Sequence, residues 1–330
     1  MSTSLGSGRV PFTKGLHDLG NSCYAYLQPD GSWGYSNAGL VVDGGEALLV
    51  DTLFDLPLTR EMLAAMRAAE PAASHIGTVV NTHSNGDHCN GNELVADAEI
   101  IASKAAAEEM AEETPESMAQ YKKAAANLGE LGEFFLRCFE PFEFEGITKT
   151  PPTTTFEDEL TRQVGDKRVE LIGVGPAHTR GDVLVYVPGD RTVFTGDILF
   201  IDGHPILWAG PVQNWIDACA RIEAMDVETV VPGHGPVTDK RGAAAVREYL
   251  EYVAAEARAR YDAGMDAVEA ARDIALSDYD SWIDAERIVV NVTTLYREFS
   301  GDTTPPQIAQ LFAQMAALSK DRPGSSTRGA

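Results

Sequence analysis

Four of the seven histidines in this 330-residue chain, His83, His88, His178 and His234, lie just past a short apolar run, and Asp87 and Asp197 share that kind of position. No other feature constrains the fold as strongly. Residues 76–82 read as a buried strand that runs straight into His83-Ser-Asn-Gly-Asp-His88, and residues 229–234 repeat the arrangement, ending on His234. Strands that stop at polar loops present chemistry from one edge of a sheet. Neutral imidazoles and ionised carboxylates converging from such rigid elements are what a metal site requires. Gly86 opens a sharp turn, so the adjacent Asp87 and His88 can point at one ion.

The rest of the pattern is that of an α/β chain. Residues 23–27 are extended, a Gly-rich turn carries Trp33 and Tyr35, and an apolar run ends at Asp51. A helix follows Pro57, with Leu58, Met62, Leu63 and Met66 on one side. Residues 103–136, rich in Ala, Glu and Met, predict two helices broken at Pro115. Strand-like runs follow at 169–174, 182–187 and 191–194, and from Asp239 the spacing is helical through Leu318. The chain thus divides into a domain over 1–238 with a helical insertion at about 103–150, a helical extension over 239–320, and a disordered tail over 321–330.

Twenty-six basic residues stand against 50 acidic ones, a formal charge of −24. That argues against a partner that displaces counterions along a nucleic-acid backbone, and it equally disfavours an anionic membrane surface. The first residues lack the basic stretch and apolar run of a secretory signal, and no segment approaches a bilayer span, so a cytoplasmic protein is expected. Cys23, Cys89, Cys138 and Cys219 form no CxxC pair and read as reduced thiols.

Five motifs occur in order over about residues 20–238: Asp51 after an apolar strand, His83-Ser-Asn-Gly-Asp-His88, His178 in Gly-Pro-Ala-His-Thr-Arg-Gly-Asp, Asp197 in Phe-Thr-Gly-Asp, and His234 in Pro-Gly-His-Gly. In these the chain resembles the metallo-β-lactamase fold superfamily. The resemblance implies a four-layer αββα sandwich, here with the helical insertion and the helical C-terminal extension. It also implies one metal on Asp87, His88 and His234, with Asp197 as a bridge and Asp51 as a brace. The other site would be His83, Asn85 and His178, where Asn85 replaces the middle histidine of H-x-H-x-D-H. An amide oxygen is a poor zinc ligand beside imidazoles. Either one zinc binds and His83 and His178 are left for proton transfer, or a weaker second metal completes a two-metal centre. Iron or manganese are further occupants.

The activity implied is hydrolysis, with a zinc-bound hydroxide attacking an ester, thioester or lactone of a small molecule, and with His83, Asp87 and His178 as the catalytic groups. A β-lactamase, a glyoxalase II-like thioester hydrolase and a non-catalytic metal- or ligand-binding relic are the alternatives. The turn at 33–37 and the Ala-rich tail are similar to hydrolases and cyclase/thioesterase-like proteins of secondary metabolism. Trp33, Tyr35, Phe54, His204 and Trp208 are the pocket candidates. The long interval between His88 and His178 suggests an apolar lid, which suits a hydrophobic or aromatic substrate. Residues 282–299 carry more apolar surface than an isolated helix exposes, which leaves a homodimer through the C-terminal helices as an option.

Overall fold

The computed structural model describes residues 4–112 and 114–321. Its first sheet follows chain order through β1 (Gly15–Gly20), β2 (Cys23–Leu27), β3 (Ala38–Asp43), β4 (Glu46–Val50), β5 (Thr78–Val80), β6 (Glu99–Ser103) and β7 (Thr154–Phe156). Neighbours are antiparallel up to β4 and parallel beyond it. The second sheet holds β8 (Glu159–Val164), β9 (Lys167–Gly173), β10 (Val183–Val187), β11 (Thr192–Phe194) and β12 (Thr229–Val231), in the order β12-β11-β10-β9-β8. Only its β11 and β12 pair in parallel. The helices are α1 (Leu56–Ala69), α2 (Gly86–Cys89), α3 (Lys104–Met110), α4 (Pro115–Ala124), α5 (Glu130–Phe139), α6 (Val212–Ala224), α7 (Lys240–Asp262), α8 (Ala267–Asp273), α9 (Ile288–Ser300) and α10 (Ile308–Asp321).

The two-residue period of the strands sorts their side chains into layers. Leu48 and Val50 of β4 join Val183, Val185 and Val187 of β10 in a core between the sheets. Ala47 and Leu49, pointing the other way, pack on Met62, Leu63 and Met66 of α1. On the outer face of the second sheet, Leu184, Val193 and Val230 meet Trp215 of α6, Val246 of α7 and Ile288 of α9. The result is an αββα sandwich. Helix α1 starts where Asp55 caps Leu58 N at 2.9 Å, carries Pro57 in its first turn, and ends at Ala69, with Glu70 as its cap just before Pro71.

Local differences from the sequence reading have local causes. The strand read over 76–82 is only Thr78–Val80 long, because Thr82 N turns to Asp51 Oδ1. The two helices expected over 103–136 are three, with a second break at Gly129, whose φ is +55°. Strands β1, β6, β7 and β8 went unread; in β8 the exposed Glu159, Thr161 and Gln163 alternate with half-buried Leu160 and Arg162 before Val164, and Arg162 interrupts the apolar period. The insertion and the extension contribute to the same core: Phe134, Phe135 and Phe139 of α5 cluster with Leu311 and Met315 of α10. The apolar face of α9 that suggested a second copy is covered by α7, α8 and α10 of the same chain. The tail expected over 321–330 lies outside the described residues except for Asp321, the last of α10. Among the described residues no helix is long and apolar enough to cross a membrane.

Candidate metal centre

Parallel pairing puts strand ends on the same side, and the sequence places chemistry at those ends. Asp51 follows β4, His83 comes three residues after β5, Asp197 three after β11 and His234 three after β12. His178 sits in the loop between β9 and β10, and Asp87 and His88 lie on α2. Asp51 itself adopts a left-handed φ of +62°, which aspartate tolerates better than most residues. It thereby turns its carboxylate back into the site.

That carboxylate organises two rings. Asp51 Oδ1 accepts from Thr82 N at 2.7 Å, and Oδ2 accepts from Thr82 Oγ1 at 2.7 Å and from His88 Nδ1 at 2.9 Å. An ionised carboxylate only accepts, so the hydroxyl proton of Thr82 points at Asp51, and Thr82 Oγ1 accepts from His83 Nδ1 at 3.0 Å. His178 Nδ1 donates to Ile206 O at 2.6 Å, and His234 Nδ1 to Gly31 O at 3.1 Å. All four rings are held through Nδ1 by outer acceptors. All four therefore present Nε2 to a common centre, the arrangement that metal-ligating histidines use.

Asp197 lies at that centre. Its carboxylate oxygens are 3.1 Å from His88 Nε2, 3.4 Å from both His178 Nε2 and His234 Nε2, and 3.7 Å from His83 Nε2. Asp87 Oδ2 is 3.3 Å from His234 Nε2 and 3.7 Å from His88 Nε2. Among the described residues two triads have ligand atoms all within 4.8 Å of one another, Asp87 with His88 and His234, and His83 with His88 and Asp197. Asn85 Oδ1 stands 2.8 Å from His178 Nε2. Since Nδ1 of that ring is the donor to Ile206 O, two lone pairs face each other there unless the Asn85 amide is turned to donate. A cation between them removes the conflict.

The donor set fits a metal on other grounds as well. His83 Nε2 is buried without a hydrogen-bond partner, and His88 Nε2 and Asp197 Oδ1, buried 3.1 Å apart, have no well-formed hydrogen bond beyond their contact with each other; leaving a buried polar group unsatisfied costs about 1–3 kcal/mol. Charge points the same way. Burial alone would depress the His88 imidazole, yet Asp197, Asp87 and Asp51 hold it well above the usual histidine range. Against the same burial, His234 is held up at about 9, chiefly by Asp197. His83 and His178, where burial prevails, are lowered. Burial would raise the carboxyl of Asp87, but His88 and His234 bring it down to about 2. Two ionised carboxylates thus draw positive charge into a buried pocket, and a metal ion satisfies that demand in place of the Nε2 protons.

Neighbouring residues that the sequence reading passed over complete the support. Thr82 gave a signal only by preceding His83. Gly233 must lack a Cβ because the Asp197 carboxylate lies against it. Trp215, fully buried, donates to Ile198 O at 2.8 Å and sets its ring edge-on to His178 at 5.7 Å. Phe200 lies flat on His234, with ring centres 5.1 Å apart and planes 5° from parallel. Two pocket candidates pack within the core. His204 is fully buried, its ring edge-on to Tyr249 and Trp282 in the helical extension, and Phe54 is core, packed on Phe139, Phe142 and Phe144. Trp33, Tyr35 and Trp208 are half-buried, and Phe312 of α10 bridges Trp33 at 5.8 Å and Trp208 at 6.3 Å. Trp208 N also donates to His178 O, at 3.1 Å.

A two-sheet sandwich with four histidines and two aspartates gathered at one edge defines a metal-dependent class of αββα protein. Residues 31–234 match the family model of the metallo-beta-lactamase superfamily, and the chain belongs to it. That superfamily is in general one of hydrolytic metalloenzymes. Among curated relatives, the beta-lactamase-like protein 2 homolog of Caenorhabditis elegans is 23% identical over 218 residues, 66% of this chain and 61% of the relative. The 2,4-dinitroanisole O-demethylase subunit alpha of Nocardioides sp. (strain JS1661) is 25% identical over 208 residues, 59% of this chain and 51% of that one. The chain therefore spans between half and two thirds of the length of these relatives. Among solved structures, the metallo-beta-lactamase from Pontibacter korlensis superposes with a TM-score of 0.53 at 19% identity, covering 74% of this chain and 99% of that one. The sec-alkylsulfatase Pisa1 from Pseudomonas sp. does so at 0.61 and 16%, covering 90% and 52%. Both likenesses concern the fold alone.

Proposed function

We propose that the protein is a zinc-dependent hydrolase that cleaves an ester, thioester or lactone of a hydrophobic or aromatic small molecule. The observation that carries this reading is the common inward aim of four Nε2 atoms, each ring tied back through Nδ1, around the carboxylates of Asp87 and Asp197. Asp87, His88 and His234 would hold one ion, with Asp197 shared toward His83, Asn85 and His178. A divalent metal bound there supplies Lewis acidity and a water whose pKa falls towards neutrality. Asp51 and Thr82 keep the His88 and His83 rings from rotating, which preserves the ligand geometry through turnover. His178, kept neutral by burial, can take a proton at Nε2 whenever Asn85 leaves that side free of metal. The half-buried Trp33, Tyr35, Trp208 and Phe312 offer aromatic faces to the substrate's apolar part.

A second reading, cleavage of an aryl ether, is favoured by the same aromatic rings and by the name of the Nocardioides relative. One experiment separates the readings. Metal per chain is determined on protein purified without added metal, and the same sample is screened against aryl esters, thioesters, lactones and an aryl methyl ether. Turnover of an acyl substrate that disappears with bound zinc in Asp87→Ala and His234→Ala supports the first reading. Turnover of the ether alone supports the second, and a chain without metal or turnover is a binding relic. Asn85→His should raise the metal content; an unchanged stoichiometry would show that Asn85 does not control it.

A further inference from the structure

The turn that leads into α9 buries three charged side chains. Asp284, Glu286 and Arg287 are 4%, 3% and 2% exposed. Burying charge is costly unless each group finds a partner, and the partners here converge. Arg287 Nη2 pairs with Asp284 Oδ2 at 2.9 Å, and Nη1 donates to His204 O at 2.9 Å. The guanidinium carbon stands 4.5 Å from the ring centre of Trp33 and 5.1 Å from that of Phe200. Asp284 Oδ1 accepts from Ser32 Oγ at 2.7 Å, and Glu286 Oε1 accepts from Trp33 Nε1 at 3.2 Å.

Ser32, Trp33 and Phe200 belong to the two segments that hold His234. Gly31, next to Ser32, supplies the carbonyl that accepts the hydrogen bond from His234 Nδ1. Phe200 lies flat against the same imidazole, and Ile201 N donates to His234 O at 3.0 Å. The ring of Phe200 thus touches both the Arg287 guanidinium and the His234 imidazole. A guanidinium on an aromatic face is an attraction worth more when water is excluded, as here.

We infer that Asp284, Glu286 and Arg287 form a positioning device, built from the helical extension, that fixes the 31–33 loop and Phe200 and through them the His234 imidazole. The inference rests on His234 being a metal ligand in the proposed function. The C-terminal helices then belong to the metal centre and are more than a cover for the second sheet.

The test uses the full chain. Arg287→Lys keeps the charge and loses the planar stack; Ser32→Ala removes only the hydrogen bond from the loop side. Zinc affinity is measured by competition with a chromophoric chelator, and ligand geometry by the visible spectrum of cobalt-substituted protein. Arg287→Lys should weaken zinc binding by about 10- to 100-fold, the range for groups that orient metal ligands, and Ser32→Ala by less. Both should shift the cobalt spectrum. Tyr252→Phe, which breaks a 2.6 Å bond to Ala275 O in the same extension, serves as a control and should leave both readouts at parental values. Parental affinity and spectrum in Arg287→Lys and Ser32→Ala would overturn the inference, as would an equal loss in Tyr252→Phe. If Arg287→Lys does not fold, Ser32→Ala and Trp33→Phe carry the same decision. An unaltered chain that binds no zinc defeats the proposed function itself; one that binds zinc tightly while the variants match it defeats only this inference.

Discussion

Asp182 shows how far one buried group can shape behaviour. Its carboxyl accepts from Thr179 N at 2.9 Å and from Thr179 Oγ1 at 2.7 Å, yet burial outweighs these bonds and pushes its pKa up to about 8. In the unfolded chain an aspartate titrates near 3.9. Between those values the folded protein keeps a proton that the unfolded chain releases, so this group's stabilisation is complete below about pH 4 and is lost as pH rises through 8. Asp182→Asn should flatten the fall in stability over that window relative to the parent, measured as urea midpoints at a series of pH values; parallel profiles would contradict the assignment. The histidines were legible as residues because of where they fall after apolar runs. Their tautomers were not, since Ile206 O and Gly31 O lie 28 and 203 positions away in sequence.

Single elements tie the insertion to the site. Ser103 caps α3 by accepting from Ala106 N at 3.1 Å and donates to Gly181 O at 2.7 Å, in the loop that bears His178. Glu109, on the same helix, accepts from Ser84 Oγ at 2.7 Å and from Arg180 N at 3.2 Å, joining the loops of His83 and His178. Ser103→Ala removes a cap and leaves a buried carbonyl unpaired. It should cost about 1–3 kcal/mol in urea unfolding; a loss within error would mean that Gly181 O finds another donor. Helix α1 was readable from Pro57 and its apolar spacing. Strand β8 was not, because in Glu-Leu-Thr-Arg-Gln-Val the charged Arg162 stands between Leu160 and Val164 on the inward-facing row and breaks its apolar period.

At the scale of the whole molecule, a formal charge of −24 surrounds a centre that itself gathers carboxylates. A cation that binds only the folded chain stabilises it by mass action. Chelation should therefore lower the melting temperature, and added zinc should restore it. An unchanged transition after verified metal removal would mean that the ion contributes nothing to the fold. The insertion, the extension and the second sheet share one core, so loosening any of them is felt at the others.

The sequence by itself determined that strands and helices mix along the chain and which residues are candidate ligands, because apolar period and strand-end position are local properties; the αββα class followed from the resemblance its five motifs carry. It also marked Asn85 as the departure from the family pattern. Tertiary structure alone decided which atoms aim inward, which aromatics are core and which stay half-open, and that residues 284–287 reach back to the loop behind His234. Those outcomes depend on contacts between segments up to 253 positions apart, and no local pattern records them.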